Sequence, residues 1–324
     1  MATYKGIKGV KTQSLATDRT ASSATDGTVW YNTTTTALKY VGQGTGAWAS
    51  GGNLNTARDS QGGAGTRDAC LQIAGRPPGT TTANVESYDG STWTEIANVL
   101  QQRWLNAGAG TQTAALCISG SNPSSGDVLT NNEKYDGTSW SEDSDVNTAR
   151  RSAGSAGTSS TAALLFAGRD DPAYYANTEK WDGSSWTEVS NVNTARAYVR
   201  GAGSQTNAVL VGGYTGTANS ALFETWDGTS WTESTTANTA RQGCAAASSS
   251  TNALFYAAGV NTEKWNGSTW TEVANLAASK NDPGVASCTD SNAAAICCGG
   301  APSYQSSVEV WADPVYTIKT VTVS

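Results

Sequence analysis

The sequence contains no histidine, one methionine and three phenylalanines, and only 15 % of its residues are charged. Histidine is the commonest general base near neutral pH and one of the commonest metal ligands. Its absence excludes any catalytic mechanism or metal site that depends on an imidazole ring. We therefore predict a protein that is not an enzyme and that needs no cofactor and no metal.

The chain also lacks an excess of positive charge and any long apolar run. Its net charge is −7 and its pI is about 4.7, so no broad basic surface is available to bind nucleic acid. Nowhere do 18 consecutive apolar residues occur, and the first twenty residues contain no apolar core of a signal peptide. The sequence thus predicts no nucleic-acid partner and no membrane insertion, and it indicates synthesis without a signal peptide.

The six cysteines show no metal-ligand spacing. We predict that they are buried and reduced, because free cysteine behaves as a small apolar core residue. They are Cys70, Cys117, Cys244, Cys288, Cys297 and Cys298.

Tryptophan and glycine, in contrast, are abundant and recur in a repeated segment. Each copy has a glutamate, then tyrosine or tryptophan, then Asp-Gly or Asn-Gly, and finally a tryptophan. An Asp-Gly pair favours a tight hairpin with a type I′ turn, which would place one aromatic residue on each strand. The final tryptophans lie 39 to 47 residues apart, at Trp93, Trp140, Trp186, Trp231 and Trp270, and a degenerate sixth copy ends at Trp311.

A basic residue, here called the leader residue, precedes each copy, often within Asn-Thr-Ala-Arg. A strand of small residues follows it, and then an apolar strand that ends in glycine. These apolar runs are continuous rather than alternating, as is typical of strands covered on both faces. Each repeat therefore predicts four strands, and the whole chain predicts an all-β fold. The leader residues are Arg58, Arg103, Arg150, Arg196, Arg241 and Lys280.

The repeat, from Asn55 to Trp311, resembles the kelch repeat in three respects. Glycine ends the second strand, tyrosine or tryptophan precedes a turn in the third, and tryptophan opens the fourth. Ala-Gly often replaces the usual Gly-Gly, which indicates a divergent branch. The resemblance implies a kelch-like β-propeller of six four-stranded blades, since six leader residues are present.

The last repeat lacks a fourth strand, whereas Ala47–Ala49 is a strand without a repeat. We predict that this N-terminal strand closes the propeller by placing Trp48 beside Trp311. The alternative is seven blades, with Val29–Asn32, Leu38–Val41, Trp48 and the tail Val315–Val323 in a hybrid blade. The predicted domains are residues 1–46 (an attachment segment with a β-hairpin), 47–314 (the propeller) and 315–324 (a C-terminal strand or tail).

The N-terminal segment does not follow the repeat. It reads Trp30-Tyr31-Asn32-Thr, then Leu38-Lys39 and later Trp48, and so resembles short modules of bacteriophage tail and fibre proteins. The resemblance implies a virion protein. We predict that residues 1–30 dock on other virion proteins as an extended peptide.

The leader residues have two possible roles. As a ring of like charge at one mouth of the propeller channel, they would bind acidic or sulfated glycans. Alternatively, each one pairs with a carboxylate of the repeat or stacks on an aromatic ring. The available carboxylates are Glu86, Glu133, Glu179, Glu224 and Glu263.

The loops between second and third strands differ from repeat to repeat. Variable loops on a rigid scaffold are where recognition usually takes place. The repeated Tyr and Trp residues are instead predicted to be packing partners. Our candidates for contacts with a ligand or partner are Asp170, Asp171, Tyr174, Tyr175, Tyr214 and Tyr304.

Taken together, these features predict a non-enzymatic structural protein of the bacteriophage virion, assembled into the particle in the host cytoplasm. It would be a tail fibre or appendage for host attachment, or a decoration of the particle, and would bind a glycan or protein of the host surface. One alternative is a glycan-processing enzyme that uses loop carboxylates such as Asp170 or Asp171. Another is an intracellular kelch adaptor that binds a peptide.

Overall fold

The computed structural model describes residues 13–21, 25, 27–43, 46–122, 124–285, 294–313 and 316–321. These residues form β-strands and loops and contain no α-helix, so the all-β prediction is confirmed. No helix long and apolar enough to cross a membrane is found among them. Cys288, most of the predicted docking peptide and parts of the predicted strands at residues 285–288 and 315–323 lie outside the described residues.

The strands are numbered in chain order. The first fourteen are β1 (Gln13–Leu15), β2 (Val29–Asn32), β3 (Ala37–Gln43), β4 (Ala47–Ser50), β5 (Gly62–Gly65), β6 (Cys70–Ile73), β7 (Val85–Tyr88), β8 (Trp93–Ile96), β9 (Ala107–Gly110), β10 (Ala115–Ile118), β11 (Ser121–Asn122), β12 (Asp127–Val128), β13 (Asn132–Tyr135) and β14 (Trp140–Asp143). The next ten are β15 (Gly154–Ser159), β16 (Ala162–Phe166), β17 (Arg169–Asp170), β18 (Ala173–Tyr174), β19 (Thr178–Trp181), β20 (Trp186–Val189), β21 (Arg200–Ser204), β22 (Asn207–Val211), β23 (Phe223–Trp226) and β24 (Trp231–Ser234). The last eight are β25 (Cys244–Ser249), β26 (Asn252–Ala257), β27 (Thr262–Trp265), β28 (Trp270–Glu272), β29 (Gly284–Val285), β30 (Ala294–Cys298), β31 (Val308–Ala312) and β32 (Tyr316–Thr320).

The chain forms two compact units. The small unit consists of Met1–Gly46 and Asp313–Ser324. Its sheet has the order β1-β2-β3-β32, in which β1 is parallel to β2 and the other pairs are antiparallel. The predicted hairpin is β2–β3, whose residues Trp30 and Val41 are buried.

The large unit, Ala47–Ala312, contains six four-stranded sheets among the described residues. All six are antiparallel and are here called sheets 1 to 6. They are β5–β8; β9, β10, β13 and β14; β15, β16, β19 and β20; β21–β24; β25–β28; and β29, β30, β31 and β4. The short hairpins β11–β12 and β17–β18 lie in the loops between second and third strands.

Strand β4 supplies the fourth strand of sheet 6, as predicted. It pairs antiparallel with β31, and Trp48 lies opposite Trp311 with ring centroids 5.6 Å apart. The Trp48 indole nitrogen donates a hydrogen bond of 2.9 Å to Thr262 Oγ1. The seven-blade alternative is wrong about Trp48, because its strand shares no sheet with β2, β3 and β32.

The core lies between neighbouring sheets. Val211 and Phe223 of sheet 4, for example, pack in one buried cluster with Phe255 and Trp270 of sheet 5. Sheet 6 packs in the same way on sheet 1, through Ile296, Cys298 and Val308 against Cys70 and Tyr88. The five described cysteines are buried and reduced, so the prediction for them is confirmed, and burial raises the pKa of the Cys244 thiol to about 11.

The first strands of the sheets are rich in glycine and alanine because they lie against one another. Each contacts the first strand of the next sheet, and β29 contacts β5. A Cβ atom on Gly63 of β5 would lie 1.8 Å from the carbonyl oxygen of Val285 on β29. Only glycine fits at this contact between sheet 6 and sheet 1.

Six residues, each two positions after a leader residue, connect the sheets through the backbone. We call them the link residues, and all have φ between +46° and +64°. Four of them donate the backbone N–H to the carbonyl of the preceding link residue, at 2.7–3.0 Å, and the first link residue donates to the last. These bonds are Leu105 to Ser60, Ser152 to Leu105, Gly243 to Tyr198, Asp282 to Gly243 and Ser60 to Asp282.

The Asp-Gly turns differ from the prediction. Trp181 pairs with Trp186, so the connection between the strands has four residues rather than two. Gly183 has a φ of +98°, but Asp182 does not have the left-handed backbone that a type I′ turn requires. The carboxylate of Asp182 accepts hydrogen bonds from the N–H groups of Ser184 and Ser185, both at 2.8 Å. The type I′ prediction is therefore wrong, because the aspartate caps the turn with its side chain.

These turns predict a loss of stability in acid. Hydrogen bonds from the Ser185 and Ser184 backbone and from the Ser184 hydroxyl lower the pKa of Asp182 to about 2, and similar bonds lower the pKa of Asp89, Asp136 and Asp227. A depressed folded-state pKa gives stabilisation that is present above the ordinary value near 4 and is lost as the pH falls through the folded-state value. We expect a smaller fall in melting temperature between pH 5 and pH 2 when all four aspartates are replaced by asparagine.

Asn266 supplies the reference for that variant, because it accepts the same backbone bonds without a charge. An equal fall in melting temperature for the quadruple variant and the parent chain, followed by circular dichroism, would contradict the prediction.

Candidate functional site

The leader residues are buried and paired. Arg58, Arg103, Arg150, Arg196 and Arg241 form ion pairs with Glu86, Glu133, Glu179, Glu224 and Glu263, respectively. Lys280 is also buried, and its Nζ donates to the carbonyl and hydroxyl of Ser307, at 2.8 and 2.7 Å. A ring of free positive charge is therefore absent from this described set, and the anion-binding interpretation is wrong. The pairing interpretation holds for all five arginines.

The pair formed by Arg150 and Glu179 shows what the repeated charges do. Arg150 Nη1 donates to the carbonyl of Asn177 at 2.8 Å, while Glu179 accepts from the N–H groups of Asn147 (2.7 Å) and Thr148 (3.2 Å). Burial lowers the pKa of the Arg150 guanidinium, and the Glu179 carboxylate opposes that shift. The pair fastens the loop before each sheet to its third strand, which is a structural role.

The two residues that follow each leader residue differ in type from sheet to sheet. The first of the two forms an isolated β-bridge with the start of the variable loop between the second and third strands. We call the surface formed by these positions and loops the variable face. Its bridges are Asp59 with Arg76, Trp104 with Ser121, Arg151 with Arg169, Ala197 with Tyr214, and Asn281 with Ala301.

Two of the predicted tyrosines meet on this face. The rings of Tyr174 and Tyr214 lie 6.0 Å apart, and the guanidinium of Arg169 lies 5.3 Å from the Tyr174 ring and 5.5 Å from the Tyr198 ring. Arg169 Nη1 also donates to the Tyr198 hydroxyl at 3.1 Å. Asp171 forms ion pairs with Arg151 and Arg169 and therefore fixes both cations. We call these six residues the tyrosine cluster.

The other predicted residues take no part in those contacts. Asp170 is half-buried on β17, and the Tyr175 ring lies 5.9 Å from the buried Arg150 guanidinium. Tyr304 belongs to a second group, in which Arg76 stacks 4.4 Å above the Trp104 ring and 5.5 Å from the Tyr304 ring.

Arg76 is held by a buried carboxylate. Its Nε and Nη2 donate to the two oxygens of Asp59 at 3.0 and 2.9 Å, and these bonds raise the pKa of Arg76. The flat guanidinium thus lies within cation–π distance of two aromatic rings, which fixes its position on the variable face.

A groove of about 550 Å³ opens beside the tyrosine cluster. Tyr198, Asn219, Gln242, Asn281 and Asp282 contribute to its lining. Burial raises the pKa of Asp282, while the nearby charges of Arg200 and Arg76 act in the opposite direction. Asp282 Oδ1 is buried and has no hydrogen-bond partner among the described residues.

Sequence reasoning missed several residues of this face, including Arg76, Trp104, Arg151, Tyr198 and Asp282. Four of these follow a leader residue by one or two positions, where the six repeats carry different residue types. The same comparison of repeats that selected the loops would have found them there. Arg76 lay within a loop that was already selected.

Metal chemistry gains no support from the site, since the described residues contain no group of three or more Cys, Asp or Glu side chains that could hold a metal ion. The variable face instead combines aromatic rings, fixed guanidinium groups and uncharged amides. Comparison of the chain with protein-family models and with curated proteins finds no match.

Proposed function

We propose that the large unit is a closed six-bladed propeller of the kelch-like type. Three observations support closure: β4 completes sheet 6, the cores of sheets 6 and 1 pack together, and Ser60 donates to Asp282, the last link residue. The backbone bonds between link residues run in one direction from sheet to sheet, as expected for blades around a common axis. A closed ring leaves few exposed strand edges, which would stabilise a fold of short strands.

We further propose that this propeller is a non-enzymatic binding protein of a bacteriophage virion. The observation that carries the binding function is the variable face, where aromatic and charged residues are concentrated at the positions that differ between otherwise regular repeats. Half-buried aromatic and arginine side chains held in fixed positions, as these are, are typical of recognition surfaces. The virion location is supported by the phage-like segment around Trp30 and Trp48.

Within this proposal, residues 1–30 attach the chain to other virion proteins, and the large unit recognises a glycan or protein on the host surface. Tail fibre, appendage and surface decoration all fit this description. The protein would reach its location by assembly into particles in the host cytoplasm.

Immunogold labelling of intact particles with antibodies against the chain tests the virion location. We expect specific labelling, and we expect it to disappear when residues 1–30 are deleted. Normal incorporation of the truncated chain would disprove the docking role, while unlabelled particles would favour an intracellular adaptor.

Binding of the purified, fluorescently labelled chain to host cells tests recognition. We expect saturable binding that is weakened at least tenfold by Tyr174→Ala together with Arg76→Ala. Release of reducing sugar from host polysaccharide by the wild-type chain would instead identify a glycan-processing enzyme.

A further inference from the structure

We infer that the groove beside Tyr198 binds a neutral oligosaccharide. This inference rests on the proposed binding function and names the ligand class for one part of the variable face. The chemistry of the lining, its charge and the size of the groove all favour this class of ligand.

The lining offers uncharged hydrogen-bonding groups that are not used within the protein. The side chains of Asn219, Gln242 and Asn281 form no hydrogen bond to another described residue, and Asn219 and Gln242 are exposed. A carboxamide both donates and accepts, so it can bind two neighbouring hydroxyl groups of a sugar ring at once. Three such groups from sheets 4, 5 and 6 converge on one groove, which is an arrangement suited to a polyhydroxylated ligand.

Tyr198 supplies a rigid aromatic surface in the same groove. Its hydroxyl accepts the hydrogen bond from Arg169, whose guanidinium also lies close to the ring. Its backbone, as a link residue, has a φ of +53° and is bonded to Gly243. A ring held at both ends loses little conformational entropy when a ligand packs on it.

The charges around the groove exclude an acidic ligand. Arg241 is buried and neutralised by Glu263, and the charge of Asp282 interacts with Arg200 and Arg76. Within the described lining, no cation is left to form a charge-assisted bond with a carboxylate, phosphate or sulfate. Apart from the Tyr198 ring, the apolar part of the described lining consists of small residues such as Ala240 and Ala258, so a hydrophobic peptide segment would gain little.

The groove also has a suitable size. Its volume of about 550 Å³ is within the range of about 300–1,000 Å³ that is usual for sites of small organic ligands. A disaccharide or trisaccharide would fill it.

An array of neutral disaccharides to tetrasaccharides, printed beside sialylated and sulfated ones, tests the inference with the full-length chain. We expect binding to neutral probes only, with an affinity that changes less than twofold between low and high salt. For the best probe, titration calorimetry should show at least tenfold weaker binding for Asn281→Ala and for Gln242→Ala.

Gln102→Ala is the matched control, because it makes the same substitution outside the groove lining. Gln102 lies directly before leader residue Arg103, as Ala240 of the groove lies directly before Arg241. The affinity of this control variant should equal that of the parent chain. Since Gln242 is exposed, its variant should keep the parent melting temperature, so loss of binding will not reflect unfolding.

Three outcomes would overturn the inference. They are preferential binding of acidic probes, unchanged affinity of both groove variants, and cell binding that survives periodate oxidation of surface glycans. In the third case the host partner is a protein, and the proposed recognition function stands. Absence of both cell binding and probe binding would remove the recognition function as well.

Discussion

Replacing Glu179 with alanine is expected to lower the free energy of unfolding by about 3–5 kcal/mol, because it leaves Arg150 as an unpaired buried charge. Both side chains are almost completely inaccessible to solvent. The substitution also removes the acceptor of the Asn147 and Thr148 N–H groups, which fix the loop before sheet 3. Urea unfolding followed by tryptophan fluorescence measures the change.

Asp68→Ala is the control for this experiment, since the exposed carboxylate of Asp68 forms an ion pair with Arg67 at the surface. Exposed pairs contribute only about 0–1 kcal/mol, so this variant should unfold close to the parent urea concentration. Equal effects of the two substitutions would mean that the buried pairs do not fasten the loops to the sheets.

Removing strand β4 is expected to have an effect at least as large. A chain of residues 47–312 should fold. A chain of residues 51–312 should have a free energy of unfolding that is lower by on the order of 5 kcal/mol or more, which is a large part of the 5–15 kcal/mol typical of a whole domain. The four missing residues include Trp48, whose ring contacts Trp311 and Tyr256, and their loss leaves β31 as an open edge. Circular dichroism melting and urea unfolding compare the two chains.

In the full-length chain, Trp48→Ala tests the same contacts without truncation. We expect the free energy of unfolding to fall by about 3 kcal/mol, which is at the low end for a tryptophan because Trp48 is only partly buried. Identical unfolding of the chains starting at residues 47 and 51 would show that the last sheet needs no strand from the start of the chain.

The parts of the fold that repeat were predictable from the sequence, because each copy repeats the same physical signal. The tryptophan of each fourth strand, the apolar second strand and the glutamate opposite each leader arginine recur in step. The pairing of Trp48 with Trp311 also followed, since one strand lacked a partner and one repeat lacked a strand.

The turn and the site were harder to predict for physical reasons. Asp-Gly favours a two-residue turn in which both residues have a left-handed backbone. In the structure only Gly183 has one, and the side-chain carboxylate of Asp182 instead accepts a backbone hydrogen bond of the turn. Tyr174 and Tyr214 were selected from separate loops, and only the packing of sheets 3 and 4 brings them together. Comparison of the repeats marks Asp282 only as a position that varies, because its charged surroundings, Arg200 and Arg76, are distant in sequence.

The link residues determine which substitutions this fold can accept during evolution. Five of the six are not glycine, although a left-handed backbone costs such residues about 1–2 kcal/mol each. The conformation is imposed by bonds between main-chain atoms, in which no side chain takes part. Serine, leucine, tyrosine and aspartate therefore occupy equivalent positions on one unchanging frame, and at the two that are partly exposed, Tyr198 and Asp282, single substitutions can alter specificity without rebuilding the fold.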